Sequence, residues 1–262
     1  MGNEDLGKHL ESIGDLAGAI EAYSRMRPDV SSPKHIIDVG KLLVSISVQR
    51  REWPMVAANL NKITSMGESP EEKAVLPYIR IMHGVALMGQ EKYAEAASSF
   101  LQAGVNNSVV VPQDLITGND VAVYGGLLAL ATMDRKELNS KVLENSDFRT
   151  FLELEPHIRR AISQFVNGRY STCLQTLEAY RADYMLDLHL QRHVPIIYAQ
   201  IRSKCIVNYL IPFSCVTLQN MEDAFAVPGQ ALETELAGMI REGVLSARLD
   251  TINKVRDSPR GG

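Results

Sequence analysis

The stretch HGVALMGQEKYAEAASSFLQAG, residues 83–104, carries the spacing that decides the fold. Its small residue Gly84 is followed nine positions later by the bulky Tyr93, twelve positions later by Ala96 and sixteen positions later by the aromatic Phe100. Small residues let two helices cross closely, and large residues fill the groove between them. The stretch therefore predicts a pair of helices that pack against each other through these positions.

The same spacing recurs along the first two thirds of the chain. Near the N-terminus, Gly7 is followed at the same distances by the bulky Leu16, by Ala19 and by Tyr23. Weaker copies of the same spacing occur in the other parts of this region. The residues at the bulky position of the five copies are Leu16, Trp53, Tyr93, Arg135 and Tyr170. They are 37, 40, 42 and 35 residues apart, and such periods are typical of helical repeats. The sequence predicts an all-α fold of uneven helix pairs of the tetratricopeptide-repeat (TPR) type, with the polar Arg135 in a degenerate copy.

Local signals place several helix starts. Ser32 is a capping residue type, and it precedes Pro33, which suits the first turn of a helix. Pro156 opens another helix that is expected to run to about Val166. Asn167 and Gly168 then form a turn, after which the partner helix begins at Tyr170.

Composition and charge limit the class of protein. Apolar residues make up 45% of the 262 residues and charged residues 22%, as in ordinary globular proteins. A net charge of −4 offers no general attraction to nucleic acid or to anionic membranes. The longest apolar run, residues 121–133, is too short to span a bilayer and predicts a buried helix. Cys173, Cys205 and Cys215 lack metal-type spacing and are expected to be buried, reduced thiols of a cytosolic or nuclear protein.

The pattern changes near residue 193. A helix over about 195–210 leads to Thr217, a capping residue type, and then to two short amphipathic helices that end at Gly243. Apolar residues then alternate with polar ones, at Leu245, Ala247 and Leu249, and this alternation is typical of a half-buried strand. Helix, turn, helix, strand and hairpin is the order of the winged helix, a relative of the helix-turn-helix motif.

Many winged helices bind DNA, but the charges here favour protein binding. Residues 193–262 contain seven basic and seven acidic residues, and the second amphipathic helix carries Glu233, Glu235 and Glu242 against a single Arg241. A surface that follows phosphates needs several clustered lysines or arginines. Nucleic-acid binding remains the second hypothesis.

The sequence lacks the common catalytic motifs, including the phosphate loop, the dinucleotide fingerprint and the nucleophile elbow. His189 and His193 are four residues apart on what is expected to be one helix face, with Asp183 and Asp187 nearby. Leu190 stands where a zinc protease of this pattern requires glutamate. We interpret these residues as surface or packing residues and keep a metal-dependent hydrolase as a third hypothesis. No catalytic, metal or cofactor site is predicted.

Helical repeats that run directly into a winged helix resemble the PCI family, whose members build the proteasome lid, the COP-nine signalosome and an initiation-factor complex. The stretches that carry the resemblance are GKHLESIGDL (7–16), VYGGLLALAT (123–132), FLELEP (151–156) and EGVLSARLD (242–250). Within the family they are most similar to the signalosome branch. The proteasome-lid branch shares the architecture but fits FLELEP poorly.

The resemblance implies a non-catalytic scaffold. The signalosome removes a ubiquitin-like modifier from cullins in cullin–RING ubiquitin ligases, and its cleavage is performed by a zinc-dependent subunit with a His-x-His motif, which this sequence does not contain. In the family, winged helices associate edge to edge. The expected partners are therefore other PCI-domain subunits and, beyond them, cullin–RING ligase components, without a membrane or a cofactor. Carried onto this chain, the joining edge comprises Leu245, Ala247, Arg248, Leu249 and Val255.

The expected organisation is a TPR-like repeat domain over 1–192, the winged-helix part of a PCI domain over 193–256 and a tail over 257–262. Members of the family have a further N-terminal segment, and they continue after the wing with a fuller strand and a C-terminal helix. The chain is therefore expected to be a piece of a longer protein. The resemblance implies a location in the nucleus and the cytoplasm.

Overall fold

The described part of the chain is helical with a small sheet, as expected. The residues that the computed structural model describes are 2–26, 32–64, 70–104, 115–227, 231–249 and 255–257. The helices within them are α1 (Asn3–Ser12), α2 (Leu16–Met26), α3 (Pro33–Gln49), α4 (Trp53–Thr64), α5 (Pro70–Gly89), α6 (Tyr93–Leu101), α7 (Gly118–Thr132), α8 (Arg135–Glu137), α9 (Ser146–Leu154), α10 (Pro156–Val166), α11 (Tyr170–Glu178), α12 (Arg181–Tyr184), α13 (Val194–Leu210), α14 (Leu218–Phe225) and α15 (Leu232–Arg241). The strands are β1 (Cys215–Thr217), β2 (Arg248–Leu249) and β3 (Val255–Asp257).

The chain divides into two compact units. The first comprises residues 1–132 and 144–155, and the second comprises 133–143 and 156–262. The boundary expected at residue 192 lies inside the second unit, and a separate winged-helix domain that starts there stays a prediction.

The bulky positions of the repeat mark the second helix of each predicted pair. The first residues of α2, α4, α6, α8 and α11 are Leu16, Trp53, Tyr93, Arg135 and Tyr170. In the first unit α1 packs on α2, α3 on α4 and α5 on α6, and each pair also contacts the helix that follows it. The predicted helix pairs are therefore confirmed there.

The small residues of the repeat lie where the aromatic residues of the partner helix press closest. A methyl group on Gly7 would lie 2.3 Å from a ring carbon of Tyr23, and one on Gly84 would lie 2.9 Å from the ring of Phe100. Both rings are fully buried. The sixteen-residue spacing in the sequence therefore corresponds to a direct contact between the two helices of one pair.

The fourth repeat departs from the pattern. Helix α8 has only three residues, and the chain continues as a π-helical turn at Leu138–Leu143. Helix α9, which the repeat spacing does not predict, packs on α7, where the ring of Phe148 would be 2.7 Å from a methyl group on Gly125. The first unit therefore includes an extra helix that follows the fourth pair in sequence.

The apolar run of residues 121–133 forms most of α7, and its side chains from Val121 to Leu130 are buried. The expectation of a buried helix is confirmed. Within the described ranges, every helix is either too short or too polar to cross a lipid bilayer.

The second unit follows the local signals closely. Helix α10 spans Pro156–Val166, and the turn after it passes through Gly168, whose φ of +75° lies in the left-handed region that glycine adopts easily. The chain can then reverse, so that the ring of Phe165 meets that of Tyr170 edge-on at 5.3 Å. Helix α11 packs in turn on α13 and on α14, which connects the last helix pair with the C-terminal elements of the same unit.

Candidate protein-interaction surface

The C-terminal elements form a small winged helix. The Thr217 hydroxyl accepts a hydrogen bond from the backbone N–H of Asn220 at 3.2 Å, so the predicted cap begins α14. Helix α14 packs on α15 and on β1. Helix α15 ends before Gly243, whose φ is +75°, and the chain turns there toward β2.

The three strands form an antiparallel sheet in the order β1-β3-β2. Arg248 pairs with Asp257 and Leu249 with Arg256, which confirms the predicted hairpin. Strand β1 is an addition that the sequence reading missed, although the β-branched residues Val216 and Thr217 favour a strand. Among the described residues, β1 and β2 each pair with β3 alone, so both lie at an edge of the sheet.

The five residues predicted for the joining edge occupy different environments. Arg248 is exposed on the edge strand β2, and Ala247 is half-buried just before it. Leu245 is only 6% exposed and belongs to the core, so it is a packing residue rather than a contact on the surface. Leu249 follows Arg248 in β2, and Val255 lies in the central strand, where its backbone pairs with Thr217. The strand itself is shorter than the predicted alternation, because it begins only at Arg248.

A two-point ion pair fixes α15 against α13. The Arg202 guanidinium donates to the two carboxylate oxygens of Glu235, from Nε at 2.8 Å and from Nη2 at 2.9 Å. The same Nη2 also donates to the carbonyl oxygen of Phe225 at the end of α14, at 2.7 Å. One side chain therefore links three helices of the module, and its planar fork suits this arrangement better than a lysine would.

Lys204, two residues after Arg202 in α13, is half-buried in the second unit. Its amine donates to the carbonyl oxygen of Met133 and lies 4.7 Å from the centre of the Phe165 ring. Burial lowers the pKa of Lys204 to about 8. The amine is therefore held by contacts within this unit.

The cysteines fit the expected reduced thiols in part. Cys173 and Cys205 are buried, whereas Cys215 in β1 is exposed, which corrects the expectation that all three are buried. The hydrogen bond with Cys173, together with burial, raises the pKa of the Cys205 thiol far above its ordinary value. A neutral thiol of this kind is a packing group rather than a nucleophile.

The charges of α15 disfavour a phosphate backbone. Glu233 and Glu235 lie in its first turn, and Arg241 lies in its last turn. In DNA-binding relatives of the helix-turn-helix motif, the N-terminal residues of this helix contact the bases. Glu235 is paired with Arg202, but the exposed carboxylate of Glu233 in that position would repel the phosphates around the groove.

The histidine pair does not have the predicted geometry. Residues 185–193 form a succession of turns, and α13 begins only at Val194, so His189 and His193 do not share a helix face. The Asp187 carboxylate accepts hydrogen bonds from the backbone N–H groups of His189 and Leu190, at 2.8 and 2.6 Å. Within the described ranges, no three histidine, cysteine, aspartate or glutamate side chains are grouped so as to hold a metal ion.

Comparison with known proteins matches both parts of this architecture. The family described as 26S proteasome subunit RPN7 matches residues 1–141, and the PCI domain matches residues 177–255. The second match begins within the last helix pair and includes the winged-helix elements as far as β3.

Three curated relatives carry the same name, COP9 signalosome complex subunit 1. The protein from Neurospora crassa is 52% identical over 97% of this chain and 60% of its own length. Those from Emericella nidulans and Arabidopsis thaliana are 45% and 37% identical, over 100% and 97% of this chain and 55% and 57% of their own lengths. The chain thus spans somewhat more than half the length of the relatives that it matches. Its repeats, its winged helix and these identities together show that the chain belongs to the COP9 signalosome subunit 1 family of PCI-domain proteins.

Proposed function

We propose that the chain is a non-catalytic scaffold subunit of a COP9 signalosome and that its winged-helix module joins it to other PCI-domain subunits. The observation that carries the proposal is the antiparallel sheet with β2 at its edge. A strand that is paired on one side can extend the sheet by pairing with a strand of another chain. The exposed Arg248 lies on this edge and can add charge selectivity to the contact.

The wider role follows from membership of such a complex. The chain would hold neighbouring subunits in place while another subunit removes the ubiquitin-like modifier from cullins, and cullin–RING ligase components would be its more distant partners. Nucleus and cytoplasm are the proposed locations, as the family resemblance implies. The acidic start of α15 supports a protein partner over nucleic acid.

Co-purification with the PCI-domain subunits of the same organism tests the joining edge. We expect Arg248→Glu to lower the amount of co-purified subunit by about tenfold, because like charges across an interface are unfavourable. Arg160→Glu is the matched control, since Arg160 is also an exposed arginine but lies on α10. Leu245 is unsuitable for this test because it is buried, and a polar residue there would unfold the module.

Equal co-purification of both variants and the wild-type chain would overturn the edge assignment. Far-UV circular dichroism of the three proteins checks that the variants are folded. Salt-sensitive binding of a DNA duplex, lost in Arg248→Glu, would instead favour the nucleic-acid hypothesis.

A further inference from the structure

The fourth repeat places a charge where the other repeats place a packing residue. Leu16 and Trp53 are half-buried, and Tyr93 and Tyr170 are buried. Arg135 has the same position at the start of its helix but is exposed. Its side chain therefore contributes little to the core, and its surroundings indicate what else it does.

Arg135 forms one wall of an open groove in the second unit. The groove has a volume of about 550 Å³ and is lined mainly by Tyr170, Tyr209 and the apolar segment at Ile211–Phe213. Ile211 is 73% exposed and Phe213 is 44% exposed, although both are large and apolar. Exposed apolar side chains that are grouped beside a concave surface are typical of a binding site for another protein.

The walls of the groove are held by their own contacts. The Arg135 guanidinium lies 5.9 Å from the centre of the Tyr170 ring and donates to the Tyr170 hydroxyl. The Tyr209 ring contacts that of Phe213 at 5.5 Å and that of Phe225 at 5.2 Å. A partner would therefore meet a preformed surface and would lose little free energy in ordering it.

Arg135 brings a positive charge to the groove. Among the described residues that line the groove, Arg135 is the one with a charged side chain, and the exposed Arg169 lies between the lining residues Gly168 and Tyr170 in the sequence. Within the described residues, no carboxylate lies within ion-pair distance of Arg135.

The two acidic residues next to Arg135 in the sequence, Asp134 and Glu137, form contacts of their own. Asp134 accepts from the backbone N–H of Glu137, Glu137 accepts from that of Asp134, and Glu137 also pairs with Lys141 at 2.6 Å. Of these two carboxylates, Glu137 is therefore paired with a cation other than Arg135.

We propose that this groove binds an extended segment of a partner protein in which a large apolar side chain stands beside a carboxylate. The apolar side chain packs against Tyr209 and Phe213, and the carboxylate pairs with Arg135. A guanidinium binds a carboxylate through two parallel hydrogen bonds, which also fixes the direction of the segment. A nucleic acid fits less well, because one lining cation cannot follow a row of phosphates. None of the described residues that line the groove belongs to β2, and the site does not depend on the proposed assembly role.

Fluorescence anisotropy with two labelled peptides tests the groove. In one peptide leucine alternates with glutamate, and in the other leucine alternates with lysine. We expect the acidic peptide to bind saturably and the basic peptide not to bind. Arg135→Glu should weaken the acidic peptide by about tenfold, since it removes a charge-assisted contact. Ile211→Asp should weaken it as well, and the high exposure of Ile211 means that this change does not endanger folding.

Lys136→Glu is the matched control, because Lys136 is exposed and adjacent but does not line the groove. It should change the affinity less than about twofold. Equal binding of the two peptides, equal loss in Arg135→Glu and Lys136→Glu, or no saturable binding up to about 1 mM peptide would overturn the proposal. Tighter binding of a labelled single-stranded oligonucleotide than of the acidic peptide would overturn it too.

Discussion

Replacing Gly84 by alanine tests the close crossing on which the third helix pair depends. The new methyl group would lie 2.9, 2.9 and 3.0 Å from three ring carbons of Phe100. The ring has little room to withdraw, since it is fully buried and meets the Tyr124 ring edge-on at 5.9 Å. The Cβ of Phe100 also lies 3.1 Å from the position that a methyl group on Gly125 would take.

Two effects of opposite sign decide the magnitude. Alanine is favoured over glycine in a helix interior by about 1 kcal/mol. Forcing an extra methyl group into a filled core costs about 1–3 kcal/mol. Because three ring atoms are crowded at once and the ring is enclosed, we take the upper end of this cost. The net expectation is a loss of about 2 kcal/mol in the free energy of unfolding, or a fall of about 4–8 °C in Tm.

Urea unfolding gives the measurement, and the chain supplies its own probe and control. Trp53 is the single tryptophan and lies in the first unit, so its fluorescence reports the unit that contains Gly84. Gly238 in α15 has no atom within 4 Å of the position that a methyl group would take. Gly238→Ala should therefore raise the stability of the second unit by about 0.5–1 kcal/mol, as read by circular dichroism.

A Gly84→Ala variant as stable as the wild-type chain, or more stable, would refute the packing argument. A double-mutant cycle with Phe100→Leu provides the specific test. The smaller and more flexible leucine should relieve the crowding, so the alanine should cost less in that background. Additive effects of the two substitutions would show that the methyl group and the ring do not meet.

Two further predictions concern the second unit. Arg202→Ala should lower the free energy of unfolding of this unit by about 1–2 kcal/mol, because the partly exposed ion pair with Glu235 and the hydrogen bond to the Phe225 carbonyl are both lost. Urea titrations measure this loss, and an unchanged free energy of unfolding would show that neither contact stabilises the unit. Burial lowers the pKa of Lys204 from 10.5 to about 8. Between these two pH values the folded chain therefore binds fewer protons than the unfolded chain, so the contribution of Lys204 to the free energy of unfolding increases as the pH rises from about 8 to 10.5. Lys204→Met should reduce the rise relative to the wild-type chain, and identical pH profiles would contradict the burial of the amine.

The repeat and its helix starts could be predicted from the sequence because their signals are local. Gly84 and Phe100 are sixteen residues apart, and their contact follows from the geometry of two short neighbouring helices. Pro156 and Thr217 mark helix starts through the backbone geometry and hydrogen bonds of their own turns. The winged-helix order follows from the same kind of signal, since periodicity and caps need no knowledge of distant residues.

The candidate joining edge could be placed only in part. Its hairpin was predictable from alternation, but alternation does not say which strand lies at the edge of a sheet or where pairing begins. The tertiary structure buries Leu245, leaves Arg248 exposed and places Val255 in the central strand. His189 and His193 show the same limit of a sequence pattern, since they have the spacing of one helix face but lie in turns before α13.

By itself, the sequence determined the helix pairs, the C-terminal winged helix and the lack of common catalytic motifs. Only the tertiary structure decided that α9 packs on α7 and that Arg135 lines one groove with Ile211 and Phe213, which lie more than seventy residues away in the sequence. The physical reason is range. Helix periodicity and capping act within a few residues, whereas a groove depends on which surfaces become neighbours after the whole unit has packed.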